Sequence, residues 1–389
     1  MSVCFARGFV AAGTTAGIKA SGAPDLALVA TVNGPVAAAA AFTQSRAAAA
    51  PVLLSRAHVA RGRARAIVIS SGNANACTGA QGVQDAREMA QLTADSIGCE
   101  TEDVLVCSTG VIGHLLPMPG IREAIPRAVG LLSGRGGVPA AEAIRTTDAF
   151  AKLATREVGE IRIGGMAKGA GMIRPNVATT IVVLTTDAQV EAGLLADLLR
   201  DAARRSLNLV SVDGSESTND TVCLLASGAS GVSVGDETRG AFADALRDCL
   251  LDLAKQIVRD GEGSSRFAHY VLRGAQSDHE AEIAVRAVGE DQLVRCALHG
   301  SDPNWGRMVA RLGTCGVTLD PHAVSITIGG APLVERGVER ASARPGAHAA
   351  MRGDEVEIEI DLALGDGRSE LYASSLTPAY VEFNAAYST

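Results

Sequence analysis

The chain has 389 residues, more than one ordinary hydrophobic core holds, so two domains are expected. Hydrophobic residues make up 47%, charged residues 20% and aromatic residues only 3%, and the formal net charge is −8. The one basic cluster is Arg61, Arg63 and Arg65. This composition excludes a surface that stacks bases or follows a phosphate backbone, and we expect no nucleic-acid partner.

Strand and helix patterns alternate in the first half of the chain. The dipeptide Asn33-Gly34, a strong hairpin signal, predicts that the strands on its two sides pair directly with each other. The predicted elements are the strands Leu26–Val32, Val36–Thr43 and Ala66–Ser70, a helix over Gln81–Ile97, and a strand that runs into glycine in "DVLVCSTGVIG".

The second half continues this alternation and restarts it near Gln276. Two predicted strands flank a glycine-rich stretch in "VGEIRIGGMAKGAGMIRPNVATTIVVLTTDA". Helices follow over Leu194–Ser206 and Ala241–Val258, with a strand–loop–strand around "SVDGSESTNDTVCLL" between them. The pattern predicts an α/β or α+β fold with layered sheets, a larger domain over 1–275 and a smaller one over 276–389.

Cysteine spacing and hydropathy indicate the compartment. The eight cysteines form no C-x-x-C pair, which predicts reduced thiols. The first twenty residues carry Arg7 and Lys19 and lack the apolar core of a secretory leader. No run reaches the ~18 apolar residues of a membrane span. We therefore expect a cytoplasmic protein with no membrane partner.

Several standard catalytic signatures are absent from the sequence. There is no P-loop, no H-E-x-x-H and no G-x-S-x-G, and "GAGMIR" lacks the third glycine of a dinucleotide fingerprint. The seven histidines show no pair at ligand spacing. We expect neither a metal nor a cofactor.

Loops rich in glycine, hydroxyls and carboxylates follow several predicted elements. Each loop alone is more typical of a turn than of a site, but none contains histidine or cysteine, so together they indicate chemistry by a hydroxyl. They are Ser108-Thr109-Gly110, Thr146-Thr147-Asp148, Lys168-Gly169-Ala170-Gly171, Asp213-Gly214-Ser215 and Asp260-Gly261-Glu262-Gly263.

A hydroxyl nucleophile needs a base, and a threonine can supply its own α-amine once the peptide bond before it is cut. The stretch from Gly164 to Val183 suits such a cut, because glycines and the turn Pro175-Asn176 precede Ala178 and Thr179. On spacing alone, two β-branched residues that begin a strand remain the simpler interpretation.

The motifs taken together resemble one known family. The chain is similar to the ornithine acetyltransferases, also called glutamate N-acetyltransferases, which implies a self-processing αββα sandwich with a threonine nucleophile. The resemblance implies acetyl transfer from N2-acetyl-L-ornithine to L-glutamate in the arginine cycle, with acetyl-CoA left open as a second donor. It rests on "GGMAKGAGMIRPNVATT", "SGNANACTG", "CSTGVIG", "TTD", "STNDTV", "DGEG", "GSDPNWGR" and "NAAYST".

The resemblance assigns roles to individual residues. It implies self-cleavage between Ala178 and Thr179, with Thr179 as the nucleophile and a substrate contact, and Thr180 as a structural residue. It places the oxyanion hole at Thr109 and Gly110. The implied substrate-binding residues are Thr146 (ahead of Thr147), Lys168 for an α-carboxylate, Glu262 for an ammonium, and the terminal pair Asn384 and Thr389, whereas Asp302, Asn304 and Trp305 are assigned to structure.

Departures from the family pattern leave alternatives open. Arg174 precedes Pro175, where a small residue or histidine is more usual, and Ser264-Ser265-Arg266 replaces Ala-Thr-Lys. The alternatives are a self-cleaving hydrolase or aminopeptidase, a non-catalytic binding protein, and a specialised paralogue of a secondary-metabolite pathway. The expected partners are small-molecule substrates, and the two halves of one precursor are expected to assemble further, as α2β2 or larger.

Overall fold

The computed structural model describes residues 2–174 and 180–386. Within these residues the chain forms seventeen strands and eleven helices. The strands are β1 (Phe9–Thr14), β2 (Leu26–Thr31), β3 (Val36–Phe42), β4 (Arg63–Ala64), β5 (Ala66–Asn73), β6 (Val104–Val111), β7 (Lys152–Val158), β8 (Ile161–Lys168), β9 (Ile181–Thr186), β10 (Val210–Ser211), β11 (Thr221–Ala226), β12 (Phe267–Ala275), β13 (Ser325–Ile328), β14 (Ala331–Glu335), β15 (Val338–Glu339), β16 (Glu355–Asp361) and β17 (Gly367–Ser374).

Eleven helices accompany these strands within the described ranges. The helices predicted over 81–97, 194–206 and 241–258 are confirmed, and the structure gives them the bounds 79–97, 192–204 and 236–259. The helices are α1 (Ala50–Val59), α2 (Gly79–Ile97), α3 (Met118–Gly130), α4 (Gly137–Ala143), α5 (Ala192–Arg204), α6 (Asp236–Arg259), α7 (Asp278–Gly289), α8 (Gln292–His299), α9 (Trp305–Leu312), α10 (Arg344–Ala350) and α11 (Pro378–Ala386).

The chain divides into two compact units. The first comprises the described residues of 2–208 and 216–257, and the second comprises 209–215 and 258–386. The domain boundary expected at residue 275 stays a prediction; that residue ends β12, a strand of the second unit. In the part of the chain that the structure describes, no helix is both long and apolar enough to cross a membrane.

The first unit is a sandwich of two sheets between two layers of helices. One sheet has the order β1-β2-β5-β6 and the other has the order β4-β3-β11-β9-β8-β7. Alternate residues of the strands face opposite sides, as the two-residue repeat of a strand requires. Ile67 and Ile69 of β5 pack toward the second sheet, while Val68 packs against α2 and α3. On the other side, α5 packs on β3, and α6 reaches Gly165 of β8 through Leu253. The predicted αββα sandwich is confirmed.

The predicted hairpin across Asn33-Gly34 is wrong. Gly34 does make a tight turn with φ +83°, but β2 pairs with β1 and β5, whereas β3 pairs with β4 and β11 in the other sheet. Every residue of β2 is buried, so this strand needs neighbours on both edges and cover on both faces. The turn therefore carries the chain from one sheet to the other.

The second unit has a seven-stranded sheet with the order β10-β17-β12-β16-β13-β14-β15. One face is packed by helices: Tyr270 and Ile358 belong to a core that also contains Val285, Leu298 and Met351. In β16 the intervening residues Glu355, Glu357, Glu359 and Asp361 are polar. This alternation explains why "EVEIEID" in β16 is recognisable as a strand from the sequence alone.

Candidate active site

Three strands of the second sheet begin or end at one edge of the first unit. Lys168 ends β8 opposite Ile181, which begins β9, and Ile181 in turn lies opposite Thr221, which begins β11. The backbone N–H of Thr221 donates to the carbonyl of Thr180 at 2.9 Å. The glycine-rich stretch after Lys168 and the loop before Thr221 therefore leave the sheet side by side.

Thr109 and Gly110 lie at the end of β6, where only glycine fits the second position. Gly110 has φ +129° and is aligned with Gly72 of β5. A Cβ on Gly110 would lie 2.2 Å from the Gly72 carbonyl carbon, so a larger residue would push the two strands apart. Behind them, Ser70 Oγ donates to Ser108 Oγ at 2.8 Å, and Asn219 Nδ2 donates to the Ser108 carbonyl at 2.9 Å.

A hydrogen bond between the two sheets brings Lys168 to Thr109. Lys168 Nζ donates to Thr109 Oγ1 at 3.2 Å, and both residues are only 8% exposed. An ammonium has donors and no acceptor, so the Thr109 oxygen must accept in this bond. The Thr109 hydroxyl proton is therefore directed away from Lys168, where it can serve another acceptor.

The buried carboxylate of Asp148 joins Thr146 to the turn after β8. Asp148 Oδ1 accepts from Lys152 Nζ and from the backbone N–H of Gly169, both at 2.6 Å. Its Oδ2 accepts from the backbone N–H of Thr146 at 2.9 Å and from Thr146 Oγ1 at 3.4 Å. These bonds fix the position of Thr146, a predicted substrate residue, and of the backbone next to Lys168. Thr147 remains the alternative to Thr146 as a substrate residue.

The charges around Asp148 keep it ionised. Burial alone would raise its pKa, but the charges of Lys168 and Lys152 and the bond from Gly169 outweigh this effect and lower the pKa to about 2. Both side chains of the Asp148–Lys152 pair are fully buried. The sequence motif "TTD" indicated a candidate loop but no separate role for Asp148, and no sequence signal indicated Lys152.

Asp220, which the sequence analysis also missed, lies directly before β11. It is 3% exposed, and burial raises its pKa well above the ordinary value, against hydrogen bonds from Ser217 and the charge of Lys168. Burial of this kind favours the neutral carboxyl. Its only signal in the sequence was its place in "STNDTV".

Lys19 is a further cation near these groups. Its Nζ donates to the Pro24 carbonyl at 2.6 Å and lies 3.5 Å from the Ala143 carbonyl. Burial lowers its pKa, while Asp25 and Asp148 oppose that shift. The sequence contains only four lysines, and this scarcity was the signal that could have singled out Lys19.

Two predicted substrate residues lie together in the second unit. Asn384 Nδ2 donates to Glu262 Oε2 and to the Tyr380 carbonyl, both at 3.1 Å. A Cβ on Gly263, which has φ +63°, would lie 2.4 Å from the Tyr380 nitrogen. Glycine at 263 thus allows "DGEG" to approach α11 closely enough for Glu262 to meet Asn384.

Some predictions fall outside the described residues. These are the cleavage point between Ala178 and Thr179, the nucleophile Thr179 and the terminal Thr389; they stay predictions. Thr180 is described and 5% exposed, and its Oγ1 has no hydrogen-bond partner among the described residues.

The departures from the family pattern are all hydrogen-bonded. Arg174 Nη1 donates to Glu216 Oε1 at 3.1 Å, so its charge is balanced by a neighbouring carboxylate. Ser265 Oγ bonds to His299 Nδ1 at 3.0 Å, and Arg266 donates to the Met351 carbonyl at 2.6 Å.

The residues assigned to structure make structural contacts. The Asn304 side chain caps α9 by accepting from the backbone N–H of Arg307 at 3.3 Å. It also donates to Asp302 at 2.9 Å, and Trp305 Nε1 donates to Glu339 at 3.0 Å. Over residues 2–174 and 180–386, no three side chains of the metal-binding types are grouped as an ion site requires.

Comparisons with known proteins agree with the motifs. A model described as the ArgJ family matches residues 10–389. The chain is 43% identical over 389 residues to the arginine biosynthesis bifunctional protein ArgJ of Streptomyces coelicolor, with 100% of both chains covered. It is 44% identical over 390 residues to the protein of the same name from Syntrophotalea carbinolica, with 98% of this chain and 99% of the relative covered.

A solved structure is also similar. The crystal structure of the arginine biosynthesis bifunctional protein ArgJ from Bacillus halodurans matches with a TM-score of 0.51 and 32% identity. The match covers 53% of this chain and 98% of the solved chain. These matches confirm the family resemblance that the motifs indicated.

The buried Asp148–Lys152 pair predicts a specific pattern of stability. Asp148→Asn removes the buried carboxylate to which the Lys152 ammonium donates, and it should cost about 3–5 kcal/mol. The double variant Asp148→Asn/Lys152→Met removes both charges and should cost less than the single change. The measurement is urea unfolding at pH 7, with Asp197→Asn as the control, because its partner Arg200 is exposed.

The pH dependence of this pair has a definite sign. The pKa of Asp148 is depressed, so its stabilisation is present above the unfolded value of ~4 and is lost as the pH falls toward about 2. The difference between wild type and Asp148→Asn should therefore shrink across that window. A difference that stays constant from pH 6 to pH 2 would contradict an ionised Asp148.

Proposed function

Since this chain belongs to the ArgJ family and is thereby an acyltransferase, we propose that it transfers an acetyl group from N2-acetyl-L-ornithine to L-glutamate in arginine biosynthesis. The carrier is a threonine ester on Thr179, formed after the chain has cut itself between Ala178 and Thr179. The observation that carries the proposal is the contact of Lys168 with Thr109, beside Gly110 and at the edge where β9 begins.

Self-cleavage uses the hydroxyl of Thr179. Its oxygen attacks the Ala178 carbonyl carbon, the C–N bond breaks, and the proton passes to the nitrogen that becomes the Thr179 amine. Water then hydrolyses the ester, which gives the Ala178 carboxylate and restores the hydroxyl. The solved relative, whose whole chain corresponds to about half of this one, supports a precursor divided near its middle.

Acetyl transfer proceeds in two half-reactions. Thr179 Oγ attacks the acetyl carbonyl of acetylornithine, while the freed Thr179 amine takes the hydroxyl proton and passes it to the departing ornithine nitrogen. The amine of glutamate then attacks the acetyl ester, and the Thr179 oxygen leaves with a proton. Both half-reactions pass through a tetrahedral oxyanion that needs preplaced donors.

Thr109 and Gly110 are suited to hold that oxyanion. The Thr109 hydroxyl already accepts from Lys168, so its own proton is available. The glycine at 110 leaves its N–H unshielded by a side chain. The Lys168 ammonium next to them favours a developing negative charge and supplies a cation for a substrate carboxylate.

The remaining assignments complete the proposal. Thr146, fixed by Asp148, is a further substrate contact, and Glu262, Asn384 and Thr389 carry the substrate roles that the resemblance implies. The processed halves stay together and assemble as α2β2 or larger in the cytoplasm. We propose acetyl-CoA as a second donor, since the relatives are named bifunctional.

Self-cleavage has a direct test. Purified wild-type chain should separate under denaturing conditions into fragments 1–178 and 179–389, with Thr-Thr-Ile-Val at the start of the second. Thr179→Ala should remain whole and lose all acetyl transfer, because processing needs the hydroxyl and transfer needs the amine. The matched control Thr180→Ala should still be cut. An uncut wild-type chain with full activity would exclude the mechanism.

The oxyanion role of Thr109 predicts a rate effect. Loss of one such donor costs about 10²–10³ in rate, so Thr109→Ala should lower kcat by that factor. Thr109→Ser keeps the hydroxyl and should retain most of the wild-type kcat. Ornithine release from acetylornithine, with and without glutamate, measures both half-reactions. Turnover of Thr109→Ala within twofold of wild type would remove its side chain from the mechanism. Ornithine release by the wild type that continues beyond one turnover without glutamate would favour a hydrolase.

The Arg174–Glu216 pair predicts unchanged acceptor choice. Because the charge of Arg174 is balanced by Glu216, Arg174→Ala should leave the ratio of kcat/KM for glutamate to that for other amino acids unchanged. Competition between labelled acceptors measures this ratio. A shift beyond tenfold, or about 1.4 kcal/mol, would show that Arg174 shapes the acceptor pocket and would favour a specialised paralogue.

A further inference from the structure

Lysine is rare in this chain and concentrated at one place. Arginine supplies 31 of the 35 basic residues, and lysine supplies only four. Lys152 and Lys168 both act on Asp148, and Asp148 in turn acts on Lys19. Lys255, on α6, is the fourth. Lys152 balances Asp148 and Lys168 meets Thr109, but the acetyl transfer described above leaves Lys19 without a role.

The backbone of Lys19 is held rigidly. It lies in the loop between β1 and β2, and the buried side chain of Asp25 accepts from the backbone N–H groups of Ala16 at 2.5 Å, Ile18 at 2.6 Å and Lys19 at 3.0 Å. Three hydrogen bonds to one carboxylate restrict the backbone of this loop more than the backbone of a solvent-exposed turn is restricted. The side chain of Lys19 is therefore directed by a preorganised backbone.

The aliphatic stem of Lys19 lies against Gly72 of β5, the neighbour of Gly110 in the sheet. A Cβ on Gly72 would come within 2.9 Å of Lys19 Cγ, and Gly72 is aligned with Gly110. The Ala143 carbonyl, 3.5 Å from Lys19 Nζ, also accepts from Ser71 Oγ at 2.6 Å. Gly72 and Ser71 are the direct neighbours of Gly110 and Thr109 in the sheet.

The ammonium of Lys19 has neutral partners. It donates to two carbonyls, and within residues 2–174 and 180–386 it forms no ion pair. The charged groups that act on it are Asp25, Asp148, Arg145 and Lys168. A half-buried ammonium without an ion-pair partner is a favourable place for a ligand anion to bind.

We propose that Lys19 binds the side-chain carboxylate of the acceptor, L-glutamate. This rests on the proposed function and deepens it, because glutamate carries two carboxylates and Lys168 supplies a cation for only one. The donor, acetylornithine, has a cationic side chain that gains nothing from a second ammonium. Lys19 is thus a specificity residue of the second half-reaction.

The test compares two half-reactions and two acceptors. Lys19→Met keeps the stem and removes the charge. It should lower kcat/KM for glutamate ~10- to 100-fold, as expected for one charge-assisted hydrogen bond. Acetyl transfer to glutamine, the neutral isostere, and acceptor-free ornithine release should change less than about threefold, since neither uses that bond. Lys19→Arg should recover part of the loss, and Lys255→Met is the matched control.

The outcomes separate this proposal from the one it rests on. An equal loss with glutamate and glutamine, or an equal loss in ornithine release, overturns the role of Lys19 while acetyl transfer by the wild type stands. A wild type that never transfers acetyl to glutamate overturns both. Should Lys19→Met fail to fold, the wild type decides: glutamate must compete with acetylornithine more strongly than glutamine does, and equal competition overturns the proposal.

Discussion

The ionised carboxylate of Asp148 is the constraint on which the candidate site depends. It accepts from Lys152, from Thr146 and from the backbone of Gly169. The first bond makes a fully buried cation tolerable, the second holds the loop after α4, and the third holds the turn that follows β8. Because Gly169 comes directly after Lys168, one carboxylate fixes the direction in which the ammonium of Lys168 leaves the sheet and so its contact with Thr109.

The sandwich makes that contact possible because its interior is built from small side chains. A lysine at the end of β8 reaches a threonine at the end of β6 only if the two sheets lie close together. Alanine, valine and cysteine fill much of the layer between them, including Cys107 and Cys223 on facing strands. The low aromatic content noted in the sequence thus has a structural consequence. Within the first sheet, Gly72 and Gly110 allow a similarly close approach, because no Cβ lies between β5 and β6 at this position.

The local sequence pattern predicted individual helices and strands well, but it predicted the pairing of strands poorly. The helical spacing predicted α2, because burial on one face of a helix leaves a periodic pattern of apolar residues. The pairing of β2 and β3 was misjudged, because Asn33-Gly34 specifies a turn and not the sheet that follows it. The roles proposed for Thr109, Lys168 and Thr146 came from the family resemblance. No individual role was predicted for Asp148, Asp220 or Lys19. The contacts of Asp148 with Gly169 and of Lys19 with Ala143, and the burial of Asp220, arise only in the folded chain.

The use of lysine at three positions in an arginine-rich chain has a physical reason. A guanidinium is planar, spreads its charge over five donors and needs a broad set of acceptors, whereas an ammonium is a point charge on a thin stem. Asp148, for example, offers Lys152 a single carboxylate oxygen. The Lys168 ammonium donates one hydrogen bond to the Thr109 hydroxyl oxygen and accepts none, so the hydroxyl proton of Thr109 stays available. A buried position that offers a single acceptor therefore favours lysine where the rest of the chain uses arginine.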